Sequence, residues 1–252
     1  MIRIENPAKL IFAIGLIALA VIGLSMGDFI IGRPPACATD LRWIFLSSNF
    51  IVIAGAVGII TKRFGYRGSL ICAMAILLFS YILKIIPVFL KSDFAGIINY
   101  GAAWKILALS GGCLIVANTF RKNKIFFLSG LVALTCFFMW GGIAHFLYSS
   151  FVDTLIPDYI PLHRFWTLFC GGCLILTSIG LWIPKLKRIV AGLAAIMIFG
   201  WFLLLHIPRF FTHMSDKTEL MGVVESLMFA MLMLIIFSNF SDNTNKYGSL
   251  EV

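Results

Sequence analysis

Apolar residues come in blocks of about twenty along the whole chain, separated by short polar stretches. Each block can cross a hydrocarbon core of roughly 30 Å as an α-helix. The blocks predict spans at 9–27, 44–61, 68–90, 100–119, 124–146, 165–183, 188–206 and 220–239. The alternating period of two that a transmembrane β-barrel needs is missing. The expected fold class is therefore all-α: a polytopic membrane protein of eight transmembrane helices. The first block, Leu10 to Met26, is span-length and lacks a small-residue cleavage site, so it reads as a true span and not a signal peptide. Gly248 to Val252 reads as a cloning-linker remnant and is set apart from the spans.

Composition agrees, with 61% hydrophobic and 12% charged residues, far from a soluble domain. The net charge of +9 does not point to nucleic acid, because the basic residues sit in short loops between spans. Arg3 and Lys9, then Lys62, Arg63 and Arg67, then Arg121, Lys122 and Lys124, then Lys185, Lys187 and Arg188, and finally Lys246 fall on alternate loops almost free of acid. Asp28, Asp40, Asp93, Asp153, Asp158, Asp216 and Glu219 fall on the others. The positive-inside rule then places both termini in the cytoplasm, as an even number of spans requires.

The two halves resemble each other at an offset near 115–122. Gly58-Ile59-Ile60 before a basic loop, followed by a span ending Leu83-Lys84-Ile85-Ile86-Pro87, matches Gly180-Leu181-Trp182 and a span ending Leu205-His206-Ile207-Pro208. Leu41-Arg42-Trp43 matches His163-Arg164-Phe165-Trp166, Gly15-Leu16 matches Gly130-Leu131, and Asn118 lies near the end of span four as Asn239 does in span eight. The chain is expected to be two four-helix repeats, 1–122 and 123–247, related by a pseudo-two-fold axis along the membrane normal.

In the second half, Gly142-Ile143-Ala144-His145-Phe146, Leu155-Ile156-Pro157, Ile160-Pro161, Trp166, Gly171, Gly180-Leu181-Trp182-Ile183-Pro184 and His206-Ile207-Pro208 form a pattern that resembles the DoxX-like membrane protein family. The resemblance covers roughly 125–240, and the first half looks like a degenerate copy. It implies a four-span unit in a bacterial inner membrane. It also implies a link to quinone-coupled sulfur oxidation or oxidative-stress complexes. Many members carry a Glu in the second span of the unit; here that stretch reads Cys170-Gly171-Gly172-Cys173-Leu174, without an acid.

Candidate chemistry concentrates on the outer side. Cys170 and Cys173 stand at i and i+3, on one stripe of a helix, where two thiols can meet. As a catalytic dithiol they could exchange electrons with a quinone, as intramembrane CxxC motifs do in the vitamin K epoxide reductase family. As packing residues, Gly and Cys simply let helices approach closely. Cys72, Cys113 and Cys136 read as packing, and Cys37 as an outer-loop thiol. All four histidines, His145, His163, His206 and His213, fall on the outer side, where imidazoles could hold haem or copper, relay protons, or merely sit in the interface. Lys105 and Glu225 occupy equivalent places in spans four and eight; as a pair they would join the halves, and otherwise each would line a polar cavity. Arg164 and Arg209 would complete a basic rim for an anionic head group. Lys84 and Asp28 are expected to snorkel at span ends. The Met run of span eight, Met221, Met228, Met231 and Met233, keeps no single face and carries no copper reading. No phosphate loop, Ser-His-Asp order, zinc spacing or dinucleotide fingerprint is found.

The expected function is an integral membrane component of a quinone-linked redox system, with ligand-binding His145, His206, Arg164, Arg209, Lys105 and Glu225, a quinone as candidate cofactor, and a membrane or periplasmic redox partner. Two alternatives stand beside it: a non-enzymatic scaffold for a partner protein, and a small-solute or lipid transporter. The last has less support, because the prolines cluster at span ends and break no helix at mid-membrane.

Overall fold

A computed structural model of the chain describes residues 6–36, 39–61, 63–90 and 97–247. Arg3, Cys37, Lys62, Asp93 and Gly248 to Val252 lie outside the described residues. Every regular element among the described residues is helical. The long helices are α1 (Pro7–Met26), α2 (Arg42–Ile60), α3 (Gly65–Leu90), α4 (Ile97–Phe120), α5 (Lys124–Leu147), α6 (His163–Gly180), α7 (Lys187–Thr212) and α8 (Lys217–Tyr247). Seven of these carry stretches long and apolar enough to cross a membrane. The exception is α6, whose 18 residues open on His163 and Arg164.

Local sequence explains where several helices start and stop. Asn6 and Asn123 cap α1 and α5, their side-chain oxygens accepting from Ala8 N–H (3.0 Å) and from Ile125 and Phe126 N–H (3.0 and 3.2 Å). Pro7 follows the first cap with its φ already helical. α1 ends on Gly27, in the left-handed region at φ 70, a conformation that costs glycine nothing.

Two helices carry proline near their far ends and continue through it. In α3 the backbone widens to a π-helix over Ile76–Ile85, just before Pro87. In α7 it widens over Phe202–His206, just before Pro208. The wider turns accommodate the ring and the missing N–H, so α7 runs on to Thr212 where the expected span stops at 206. Proline at 208 leaves the Leu204 carbonyl without its helical donor, and the Tyr159 hydroxyl, from the loop before α6, donates to it.

Neighbours in sequence pack on one another around the bundle, and α8 closes it against α1. α4 and α8 meet in the interior. They are the most enclosed helices, each with 67% of its apolar window buried, against 17% for α7. Met221, Met228, Met231 and Met233 are accordingly all core residues of α8 and none of them faces lipid. Close approach of helices rests on glycine pairs. A Cβ added at Gly130 of α5 would lie 2.4 Å from the backbone oxygen of Gly111 in α4, and one at Gly68 of α3 would lie 2.3 Å from that of Gly55 in α2.

Charge divides between the two ends of the bundle. On the end that holds Asn6 and Ser238, Lys9, Arg121, Lys187 and Arg188 lie over the rings of Phe120, Tyr66, Phe127 and Phe237. The opposite end holds ion pairs, among them Lys84–Asp28, Lys105–Glu225 and Arg209–Glu219. There Lys84 does not snorkel as expected. Its side chain is 2% exposed and turns inward to donate to Asp28 (2.6 Å) and to the Phe29 carbonyl (2.7 Å).

Candidate functional site

The centre of the ion-paired end is a buried cluster of three charges. Glu225 of α8 presents one carboxylate oxygen to Lys105 Nζ of α4 at 2.9 Å and to Arg33 Nε at 3.1 Å. Its side chain is 4% exposed, and its other oxygen, Oε1, has no hydrogen-bond partner. The expected ion pair between Lys105 and Glu225 therefore forms, with a third member that sequence reasoning missed. Arg33 reaches the cluster from the loop after α1 because Gly32 and Arg33 both take positive φ, 82 and 61. A non-glycine residue there is held against its preference. Gly222, one turn before Glu225, makes room: a Cβ at that position would lie 3.1 Å from both Arg33 Nη2 and His206 Nδ1.

Two imidazoles join the cluster. His206 ends the π-helical turn of α7. His145, near the end of α5, has Nδ1 2.7 Å from the Gly141 carbonyl. A carbonyl only accepts, so Nδ1 carries a proton, and in the neutral ring Nε2 is then the acceptor. Both rings line a cavity of about 320 Å³ together with Arg33, Lys105, Glu225 and Ser226. They also line an adjoining cavity of about 220 Å³, which runs between α6 and α7 past Thr167, Cys170, Trp166 and Trp201 and under Leu155 and Ile156. One end of the combined space is charged and the other is apolar and aromatic. Its wall is tied together by the Trp201 indole, which donates to Cys170 Sγ at 2.9 Å and meets Trp166 edge-on at 6.0 Å. Thr167 Oγ1 is buried without a partner.

The structure thus brings together Cys170, His145, His206, Lys105 and Glu225 and adds Arg33, Ser226, Thr167 and the two indoles. It does not bring in the others. Cys173 lines a separate groove of about 300 Å³ between Phe169, Leu176 and Leu193, and both thiols are free. Arg209 spends its guanidinium on Glu219 (2.5 and 3.1 Å) and on the Leu155 carbonyl (3.2 Å). Arg164, half exposed, pairs with Asp153 at 3.3 Å. No open basic rim therefore forms from these two arginines. Beside them Asp216 accepts from the hydroxyl and the N–H of Thr218, which hold its carboxyl below the usual range. His163 and His213 lie away from the cavity, and among the described residues no three His, Cys, Asp or Glu side chains gather as a metal site.

A family model described as a domain of unknown function (DUF8561) matches residues 134–237, which hold most of this cavity and less than half of the chain. No curated protein and no solved structure matches the chain.

Proposed function

We propose that this protein is an integral component of a quinone-linked redox system in a bacterial inner membrane, and that it binds the quinone head group in the cavity shared by His145, His206 and Cys170. In this reading α6 also crosses the membrane and brings the number of spans to eight, both termini are cytoplasmic, and the charged cluster lies toward the outer leaflet. The DoxX-like pattern of the second half and the basic loops support that placement.

The two-repeat organisation, 1–122 and 123–247, draws support from several contacts. Asn6, which caps α1, donates to Ser238 near the end of α8, and Asn118 near the end of α4 accepts from the backbone of Asn123, which caps α5. Each half thus begins against the last helix of the other. Residues related by a two-fold axis touch only where the axis passes. Lys105 and Glu225, 120 residues apart, are in contact, and the ideal Cβ of Gly112 lies 2.6 Å from Leu232, at the same separation. The axis would run between α4 and α8.

The observation that carries the function is the composition of the cavity. A membrane-soluble quinone has a flat apolar ring, an isoprenoid tail and two carbonyl oxygens. The indole-lined arm suits the ring and tail, while the imidazoles and ammonium suit the oxygens. The redox step balances within named groups. Two thiols, Cys170 and Cys173, lose two electrons and two protons and form one disulfide. The quinone gains both and leaves as hydroquinone, with His145 Nε2 and His206 as proton carriers. Closing an i, i+3 disulfide requires α6 to distort locally at Gly171-Gly172.

Thiol trapping in membranes tests this directly. The expected outcome is that oxidised quinone converts Cys170 and Cys173 to the disulfide and quinol restores the thiols. Cys170→Ser abolishes the response and Cys136→Ser leaves it unchanged. Thiols that stay reduced at every quinone poise, or equal effects of the two substitutions, would overturn the redox reading and leave a non-enzymatic adaptor.

A further inference from the structure

The first half has a pocket at the place of this cavity, and the chain fills it with itself. Beyond the Gly27 turn, Phe29, Ile30 and Ile31 fold into the bundle and are 0%, 7% and 0% exposed. The Phe29 ring lies 5.8 Å from that of Phe79 on α3. The Phe29 carbonyl accepts from Lys84 Nζ at 2.7 Å, and the Ile31 carbonyl accepts from the Ser80 hydroxyl at 2.8 Å. Phe45 of α2 supports the ammonium, its ring centroid 4.7 Å away.

The same helix crossing fixes the register between the halves. A Cβ at Gly58 would meet Gly68 Cα at 3.3 Å, and one at Gly180 would meet Val190 Cγ2 at 2.7 Å. In that register Thr167 stands for Phe45, Trp201 for Phe79 and His206 for Lys84. All three second-half residues line the cavity. The loop of the second half does not enter; it roofs the space with Val152, Leu155 and Ile156. α3 and α7 have equal lengths and both carry a π-helical segment; 44% of the apolar stretch of α3 is buried and 17% of that of α7, a difference that comes largely from the packing of α3 along α2, where α7 makes little contact with α6.

We infer that the second-half cavity is the open counterpart of a pocket that Phe29–Ile31 plugs in the first half, and that its ligand repeats the features of the plug: a flat unsaturated ring against Trp201 and a carbonyl oxygen on His206. This rests on the two-repeat reading and narrows the proposed ligand to amphiphiles that carry a flat unsaturated ring with a carbonyl on it, of which quinones and aryl ketones are two kinds. Thr167 Oγ1, buried and without a protein partner, is left for the same ligand.

The test is stoichiometry by native mass spectrometry of the full chain in detergent, with two probes: a decyl-substituted benzoquinone and a decyl-substituted acetophenone, which has the ring and carbonyl without quinone chemistry. One equivalent of either probe is expected to bind. Thr167→Phe, which copies the first-half residue into the cavity, is expected to weaken both at least about tenfold. Phe29→Ala opens the plugged pocket and raises the stoichiometry from one to two. Benzoquinone binding without acetophenone binding would overturn this inference and leave the proposed function standing; the reverse would do the opposite. A folded Phe29→Ala protein that still binds one equivalent would overturn it. If that variant does not fold, unchanged binding by Thr167→Phe overturns it instead.

Discussion

Gly130→Val is expected to be among the most damaging single substitutions in the bundle. The first carbon of the new side chain would lie 2.4 Å from the Gly111 backbone oxygen and 2.7 Å from Ile115 Cγ1. A backbone oxygen inside a helix cannot swing aside, so α4 and α5 must separate. These two helices make the most extensive contact in the structure. Overpacking of ordinary cores costs about 1–3 kcal/mol, and a clash with main chain belongs at or beyond the upper end. A loss of about 3 kcal/mol lowers the melting temperature by roughly 6–12 °C in a chain of this size. Gly172→Val is the matched control, since a Cβ at Gly172 meets nothing within 4 Å. Thermal unfolding of both purified variants in detergent checks this. Equal melting temperatures would mean that the α4–α5 contact is not closed as described.

Glu225→Ala is expected to come next. It leaves Lys105 and Arg33 without the carboxylate that serves both. Removing one partner of a buried ion pair typically costs about 3–5 kcal/mol, because the remaining charge stays desolvated. Arg33, with 36% of its side chain exposed, can turn toward water, so the lower figure of about 3 kcal/mol applies. Lys105, at 19%, has less freedom. The double variant Glu225→Met, Lys105→Met removes the stranded ammonium and should recover most of the lost stability. A double variant less stable than Glu225→Ala alone would show that the cluster does more than neutralise charge.

Much of the helical fold is legible in the sequence, because blocks of apolar residues report span-length helices directly. The pairing of Lys105 with Glu225 is legible too, because the sequence places both charges at like depths inside spans four and eight. Arg33 is not. It reaches Glu225 by way of two left-handed residues in a loop, and loop conformation leaves no periodic trace. Arg164 and Arg209 read as an open rim because Asp153 and Glu219 are brought to them by tertiary packing. Cys170 and Cys173 share a helical stripe, yet they open onto different cavities. Spacing along one helix does not reveal which neighbours flank it. The inward turn of Phe29–Ile31 was equally hidden: a short apolar run after a glycine has the same appearance whether it lies in the interface or fills a pocket.

Photo-crosslinking in native membranes with an azido-quinone, followed by mapping of the labelled peptides, tests the central claim most directly. The account predicts labelling concentrated around Thr167–Cys170 and Trp201–His206, competed by unlabelled quinone and lost in Thr167→Phe. Label spread over the exposed residues of α7, such as Ile189, Leu193 and Ile196, without competition, would mean that the quinone merely dissolves beside the protein, and would contradict the account.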